Sequence, residues 1–230
     1  MNWKAVWSAK AFQAPDGSVL SGLMAADGYD TPFGRLSEEA WLGYVRHWAQ
    51  ALGVEANTSV FEVGCGAGAF LYELYRNGVQ VAGMDLAAAL IQAAREVMPD
   101  GHFAVGEASE LSPDPPADVV LSCGVFFYFP SLEYARDVLA RMVAKARRAV
   151  LILDVPDLAL RERAVADRIA AAGGPEAYRE RYQGLEHTYF DRGWLAGEMR
   201  KLGLVDVRTV DQAIPGYRNG AFRFNAWGYK

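Results

Sequence analysis

The segment Val60-Phe61-Glu62-Val63-Gly64-Cys65-Gly66-Ala67-Gly68 places three glycines at alternating positions behind an apolar run that carries one acid, Glu62. Glycines at such a turn let the backbone bend sharply and approach a ligand with no Cβ in the way. Asp85 stands 21 residues after Gly64, at the end of the next apolar segment. A carboxylate there suits the two hydroxyls of an adenosine ribose. The spacing is G-x-G-x-G, whereas dinucleotide binders favour G-x-G-x-x-G. Glu62 would repel a diphosphate and attract a ligand carrying positive charge.

Groups able to move a proton are few. Of three histidines, His47 falls inside a predicted helix and His102 begins a predicted strand. His187, in Glu186-His187-Thr188-Tyr189-Phe190-Asp191, lies in an irregular stretch before a helix start, where sites are commonly built. Tyr128 belongs to the aromatic run Phe126-Phe127-Tyr128-Phe129, and Asp154 closes an apolar strand. Cys65 and Cys123 form no metal-ligand spacing and no disulfide framework, and no metal site is expected.

The elements that must position these residues alternate. Ser37 to Leu52 puts Trp41, Val45, Trp48 and Leu52 on one helical face. Strands are expected at 58–63, 79–84, 102–105, 118–123 and 149–153, with helices at 69–77, 86–98 and from Ser131 onward. That alternation implies right-handed crossovers and a doubly wound α/β fold: a mostly parallel seven-stranded sheet, Rossmann-like, with helices on both faces. The last third is less regular. Helices are expected over 157–172, 176–183 and 191–202, and the strands 204–210 and 221–229 form a hairpin that makes the C-terminal strand antiparallel. One domain is expected, divided into an N-terminal helical cap or lid (1–57), a cofactor-binding core (58–154), an insertion over the substrate pocket (155–190) and a C-terminal helix with a hairpin (191–230).

From Thr58 to Asp154 the sequence resembles the class I S-adenosylmethionine-dependent methyltransferases, whose ligand carries a sulfonium and an ammonium group and no phosphate. The resemblance implies that Glu62, Gly64, Cys65, Gly66 and Gly68 face the methionine part of the cofactor, that Asp85 binds the ribose, and that Leu86 packs on the adenine. It further implies that Glu107 and Ala108 read the adenine edge, and that the strand end at Cys123 and Gly124 supplies carbonyls to the ammonium. Asp114-Pro115-Pro116 resembles the proline motif of amino-group methyltransferases acting on adenine or glutamine, but it precedes the fourth strand instead of following it. Nucleic acid and protein glutamine are therefore disfavoured as acceptors.

The implied reaction transfers a methyl group to a small molecule at oxygen or nitrogen, leaving S-adenosylhomocysteine. His187 would orient or deprotonate the acceptor with Tyr128 and Asp154 nearby, while Trp3, Trp7 and Tyr29 would form an aromatic cover. The alternatives are a non-catalytic S-adenosylmethionine-binding regulator and, with less support, a nicotinamide-dependent oxidoreductase.

Composition bounds the rest. The 230 residues are 52% hydrophobic and 22% charged, with 23 basic against 28 acidic side chains and a net charge of -5. A polyanion partner such as nucleic acid is not expected. The longest apolar stretch, Val119 to Phe129, is too short to span a bilayer, so a soluble protein with no membrane partner is expected, and two cysteines without a disulfide framework point to a reducing cytoplasm. The sequence leaves the oligomeric state open.

Overall fold

The computed structural model describes residues 3–10, 17–29 and 36–230; positions 1–2, 11–16 and 30–35 of the expected N-terminal cap lie outside the described residues. Among the described residues three helices come first: α1 (Trp3–Ser8), α2 (Val19–Ala26) and α3 (Glu38–Ala51). The alternating core follows as β1 (Ser59–Val63), α4 (Ala69–Arg76), β2 (Gln80–Asp85), α5 (Ala88–Val97), β3 (His102–Val105), β4 (Ala117–Cys123), α6 (Leu132–Lys145) and β5 (Ala146–Pro156). The chain ends with α7 (Arg161–Ala172), α8 (Pro175–Tyr182), α9 (Arg192–Lys201), β6 (Val205–Asp211) and β7 (Arg223–Tyr229).

Helix starts obey local chemistry. The hydroxyls of Ser18, Ser37 and Ser131 accept the amides of Ser21, Ala40 and Tyr134, and the Asp191 carboxylate accepts that of Trp194. Each bond satisfies a donor that the helix itself leaves orphaned.

The strands form one sheet in the order β3-β2-β1-β4-β5-β7-β6, with β7 antiparallel to both neighbours and the β3 to β5 pairs parallel. This is the expected Rossmann-like architecture. Strand periodicity of two splits the core into layers. On β5, Ala149, Leu151 and Leu153 join the layer of α2 to α5, with Leu23, Trp41, Leu71 and Ile91. Val150 and Ile152 join the opposite layer, under α6 and α9, with Leu139, Met142, Leu195 and Met199. Both faces of the central strands are covered, so these strands read as continuous apolar runs instead of alternating ones.

Some boundaries move. β5 runs over eleven residues, not five, because β7 pairs with its far end at Val155 and Pro156. The helix expected from Asp157 begins at Arg161. Asp157 instead caps a single 3-10 turn, its carboxylate accepting the Ala159 amide at 3.0 Å and the Arg192 guanidinium at 2.7 Å.

Candidate active site

Strand order reverses between β1 and β4, the crevice where an open α/β sheet gathers ligands. A cavity of about 590 Å³ opens there. Its floor comes from the turn after β1, where Gly64, Gly66 and Gly68 adopt φ of +74°, +54° and +91°. Side chains are strained in that region. A Cβ at Gly64 would also lie 2.5 Å from Val125 Cγ2, and one at Gly66 would collide with Asp27.

Four carboxylates shape one end of the cavity. Asp85 accepts the Gly66 amide at 2.9 Å through one oxygen and the Ala87 amide at 2.8 Å through the other. It thus ties the glycine turn to the start of α5, and burial raises its pKa against those donors. Glu62 is only 3% exposed, and its Oε2 has no hydrogen-bond partner. Burial first, and the charges of Asp27 and Asp85 after it, push its carboxyl well up. Glu107 pairs with Lys4 of α1.

The fourth acid, Asp27, is absent from the sequence-level expectations. It follows α2 and turns its carboxylate onto the glycine turn, accepting the Ala67 amide at 2.6 Å and the Ala69 amide at 2.9 Å. Burial lifts its pKa to about 7, the two amides opposing that shift and Asp85 adding to it. Nothing in the local sequence marks Asp27, because its role arises only when α2 packs on α4.

The other end of the cavity is aromatic. Trp3, Trp7, Tyr29 and Tyr128 line it together with His187. Ring centroids of Trp3 and Tyr128 are 4.6 Å apart, those of Trp7 and Tyr128 5.4 Å, and those of Trp3 and His187 5.2 Å. The segment carrying His187 is pinned beside Tyr128 by its neighbour Thr188. The Thr188 amide donates to Phe127 O at 3.0 Å and its hydroxyl to Phe129 O at 2.7 Å. Arg168 Nη2 lies 2.5 Å from His187 Nδ1. Burial first, then Arg168 and Arg223, push the imidazole pKa well below its usual value.

The structure brings Glu62, Gly64, Cys65, Gly66, Asp85, Leu86, Glu107, Ala108, Cys123, Gly124, Tyr128 and His187 to this one cavity. Gly68 sits behind the floor as the N-cap of α4, and His47 and His102 are exposed elsewhere. Cys65 and Cys123 are free and buried.

Asp154 does not line the cavity. Its backbone takes φ +61°, an unusual conformation for a residue with a side chain, and it is 2% exposed. Its carboxylate pairs with the buried Arg223, accepts the Tyr217 hydroxyl at 2.8 Å and accepts Gln212 Nε2 at 3.3 Å. Its amide donates to Asn225 Oδ1 at 2.8 Å. Sequence reasoning found the acid but not these partners, which come from β7 and the loop before it.

The donor set suits a cationic adenosine derivative. Glu62 offers a buried oxygen with no partner beside the cavity, and Asp85 lies on the same wall, an arrangement compatible with a positively charged ligand that carries hydroxyls. Among the described residues there is no cluster of metal-ligating side chains and no helix long and apolar enough to cross a membrane.

No curated protein sequence matches the chain. Solved structures share its fold. The magnesium protoporphyrin IX methyltransferase of Synechocystis PCC 6803, with bound SAM, is 14% identical over 95% of this chain and 100% of that one, with a TM-score of 0.61. A SAM-dependent methyltransferase from Archaeoglobus fulgidus is 16% identical over 88% of this chain and 98% of that one, with a TM-score of 0.62. Residues 60–150, from β1 to the middle of β5, match a family model described as a methyltransferase domain. With the glycine turn, Asp85 and the seven-stranded sheet already in place, that match identifies residues 60–150 as similar to a methyltransferase domain, on a Rossmann-like methyltransferase fold.

Proposed function

We propose that the protein methylates a small organic acceptor at oxygen or nitrogen, and that the acceptor occupies the aromatic end of the cavity. The observation that carries this reading is continuity. The space beside Glu62 and Asp85 runs without a break to Trp3, Tyr128 and His187, with α1 lying over it. Such a covered, ring-lined volume suits a small molecule better than a polymer.

Glu62 would meet the ammonium, Asp85 the ribose hydroxyls, and Glu107, Ala108 and Leu86 the adenine, with the glycine turn against the methionine part. The bound cofactor supplies an activated methyl group on a sulfonium. Displacement from such a centre is in line, so orientation and removal of water account for most of the acceleration. Tyr128 and His187 touch the acceptor in this reading. Asp154 acts one step back: it neutralises Arg223 and, with Tyr217, fixes the floor beside Gly124, whose Cβ position lies 3.1 Å from Tyr29 Oη and 3.7 Å from Asp154 Oδ2.

The test is methyl transfer from labelled S-adenosylmethionine to panels of small phenols, carboxylic acids and amines, run beside RNA and protein pools. Label in a small-molecule product supports the reading; label confined to RNA or protein overturns it.

A further inference from the structure

The hydrogen bond between Arg168 and His187 fixes more than a distance. A guanidinium has five donors and no acceptor, so His187 Nδ1 must be the accepting atom. A neutral ring then carries its proton on Nε2. In that state the imidazole has no lone pair left on Nε2 with which to take a proton from an acceptor. The charges that act on the ring point the same way, since Arg168 and Arg223 are both cationic. Among the described residues, no carboxylate orients His187 as a base would require. Arg168 meets no carboxylate at ion-pair distance among the described residues: its neighbour Asp167 pairs with Arg218, and Glu186, next to His187, turns its carboxylate back to the Gly184 amide at 3.2 Å.

Building on the small-acceptor reading, we propose that the substrate is an aromatic carboxylate or another ring-borne oxyanion, whose oxygen accepts the Nε2–H of His187 while its ring lies against Trp3 and Tyr128. The acceptor oxygen then needs no base. Its lone pair forms the O–CH3 bond as the S–CH3 bond breaks. The bonding pair returns to sulfur, which leaves as a neutral thioether, so the negative charge of the acceptor and the positive charge of the sulfonium cancel with no proton to place. His187 selects the anion and orients it; Arg168 is a positioning residue that holds the ring in the donating tautomer.

The experiment uses the full chain saturated with S-adenosylhomocysteine and labelled with 15N at histidine. Long-range 15N–1H correlations distinguish the two neutral tautomers and the imidazolium. At pH 7 His187 is expected neutral with its proton on Nε2, and Arg168→Met is expected to abolish that pattern. Benzoate, benzamide and benzamidine are then titrated into the same sample. Benzoate should bind at least about tenfold tighter than benzamidine and lose about tenfold in Arg168→Met, roughly the loss of one charge-assisted hydrogen bond. Affinity for S-adenosylhomocysteine should stay within about twofold, since Arg168 lies off the cofactor end. An Nδ1–H tautomer, an imidazolium, absent benzoate binding or a preference for benzamidine overturns the proposal. Loss of S-adenosylhomocysteine binding in the unaltered protein would instead overturn the methyltransferase reading beneath it.

Discussion

The Asp27 carboxylate accepts the amides of Ala67 and Ala69 at 2.6 and 2.9 Å, joining the end of α2 to the cofactor-side turn. Its folded-state pKa of about 7 lies above its ordinary value of 3.8. Between those values the folded state holds a proton that the unfolded chain has lost, so this group's contribution to stability falls as pH rises from about 4 to 7. A cationic ligand favours the ionised form. Binding of S-adenosylmethionine should therefore release protons near pH 6.5 and tighten as pH rises through 7. Calorimetry in two buffers of different ionisation enthalpy reads the proton count, and Asp27→Asn should reduce it, leaving only what Glu62 and Asp85 contribute.

Glu62 separates binding from stability. Its unpartnered Oε2 is a cost to the ligand-free fold and an asset only with a cation present. Glu62→Met should weaken S-adenosylmethionine by more than about tenfold while leaving the thermal midpoint of the ligand-free protein unchanged or higher. A large drop in that midpoint would mean that Glu62 is structural.

Asp154 and Arg223 should behave as one unit. Removing either partner leaves a buried charge without its counterion, at a cost of about 3–5 kcal/mol. Asp154→Asn and Arg223→Met should each destabilise the protein strongly, and the double variant should cost clearly less than their sum in a urea-denaturation cycle. Additive losses would contradict the pairing.

The cover over the cavity rests on rings and not on its ion pair. Lys4 and Glu107 are both substantially exposed, so Lys4→Met should change cofactor affinity by less than about threefold. Trp7→Ala, which removes a ring from the cavity wall, should instead speed cofactor release in stopped-flow fluorescence by about tenfold or more. Equal effects would contradict this division.

The central sheet was legible because β1, β4 and β5 are apolar runs bounded by glycine or polar turns, and such signals are local. The placement of Asp85 and Glu62 beside the glycine turn was legible because it depends on spacing along one strand, turn and helix. Asp27 and Arg168 were not. Each acts across packed elements, α2 on α4 and α7 on the Leu185–Phe190 segment, and neither periodicity nor a motif encodes that meeting. Asp154 was visible as a strand-end acid, yet its pairing with Arg223 depends on the antiparallel register of β5 and β7. The N-terminal cap was expected to be helical, but the bounds of its first helix were not legible for a related reason: α1 is six residues long, too short to show a period, and holds its place through contacts with Glu107, Tyr128 and Glu186.

A crystal structure with S-adenosylhomocysteine bound tests the account most directly. The ligand is expected with its amino group at Glu62, its ribose at Asp85 and its sulfur facing the space between Tyr128 and His187. A sulfur turned away from those two rings, or a ligand seated outside the cavity, would contradict it.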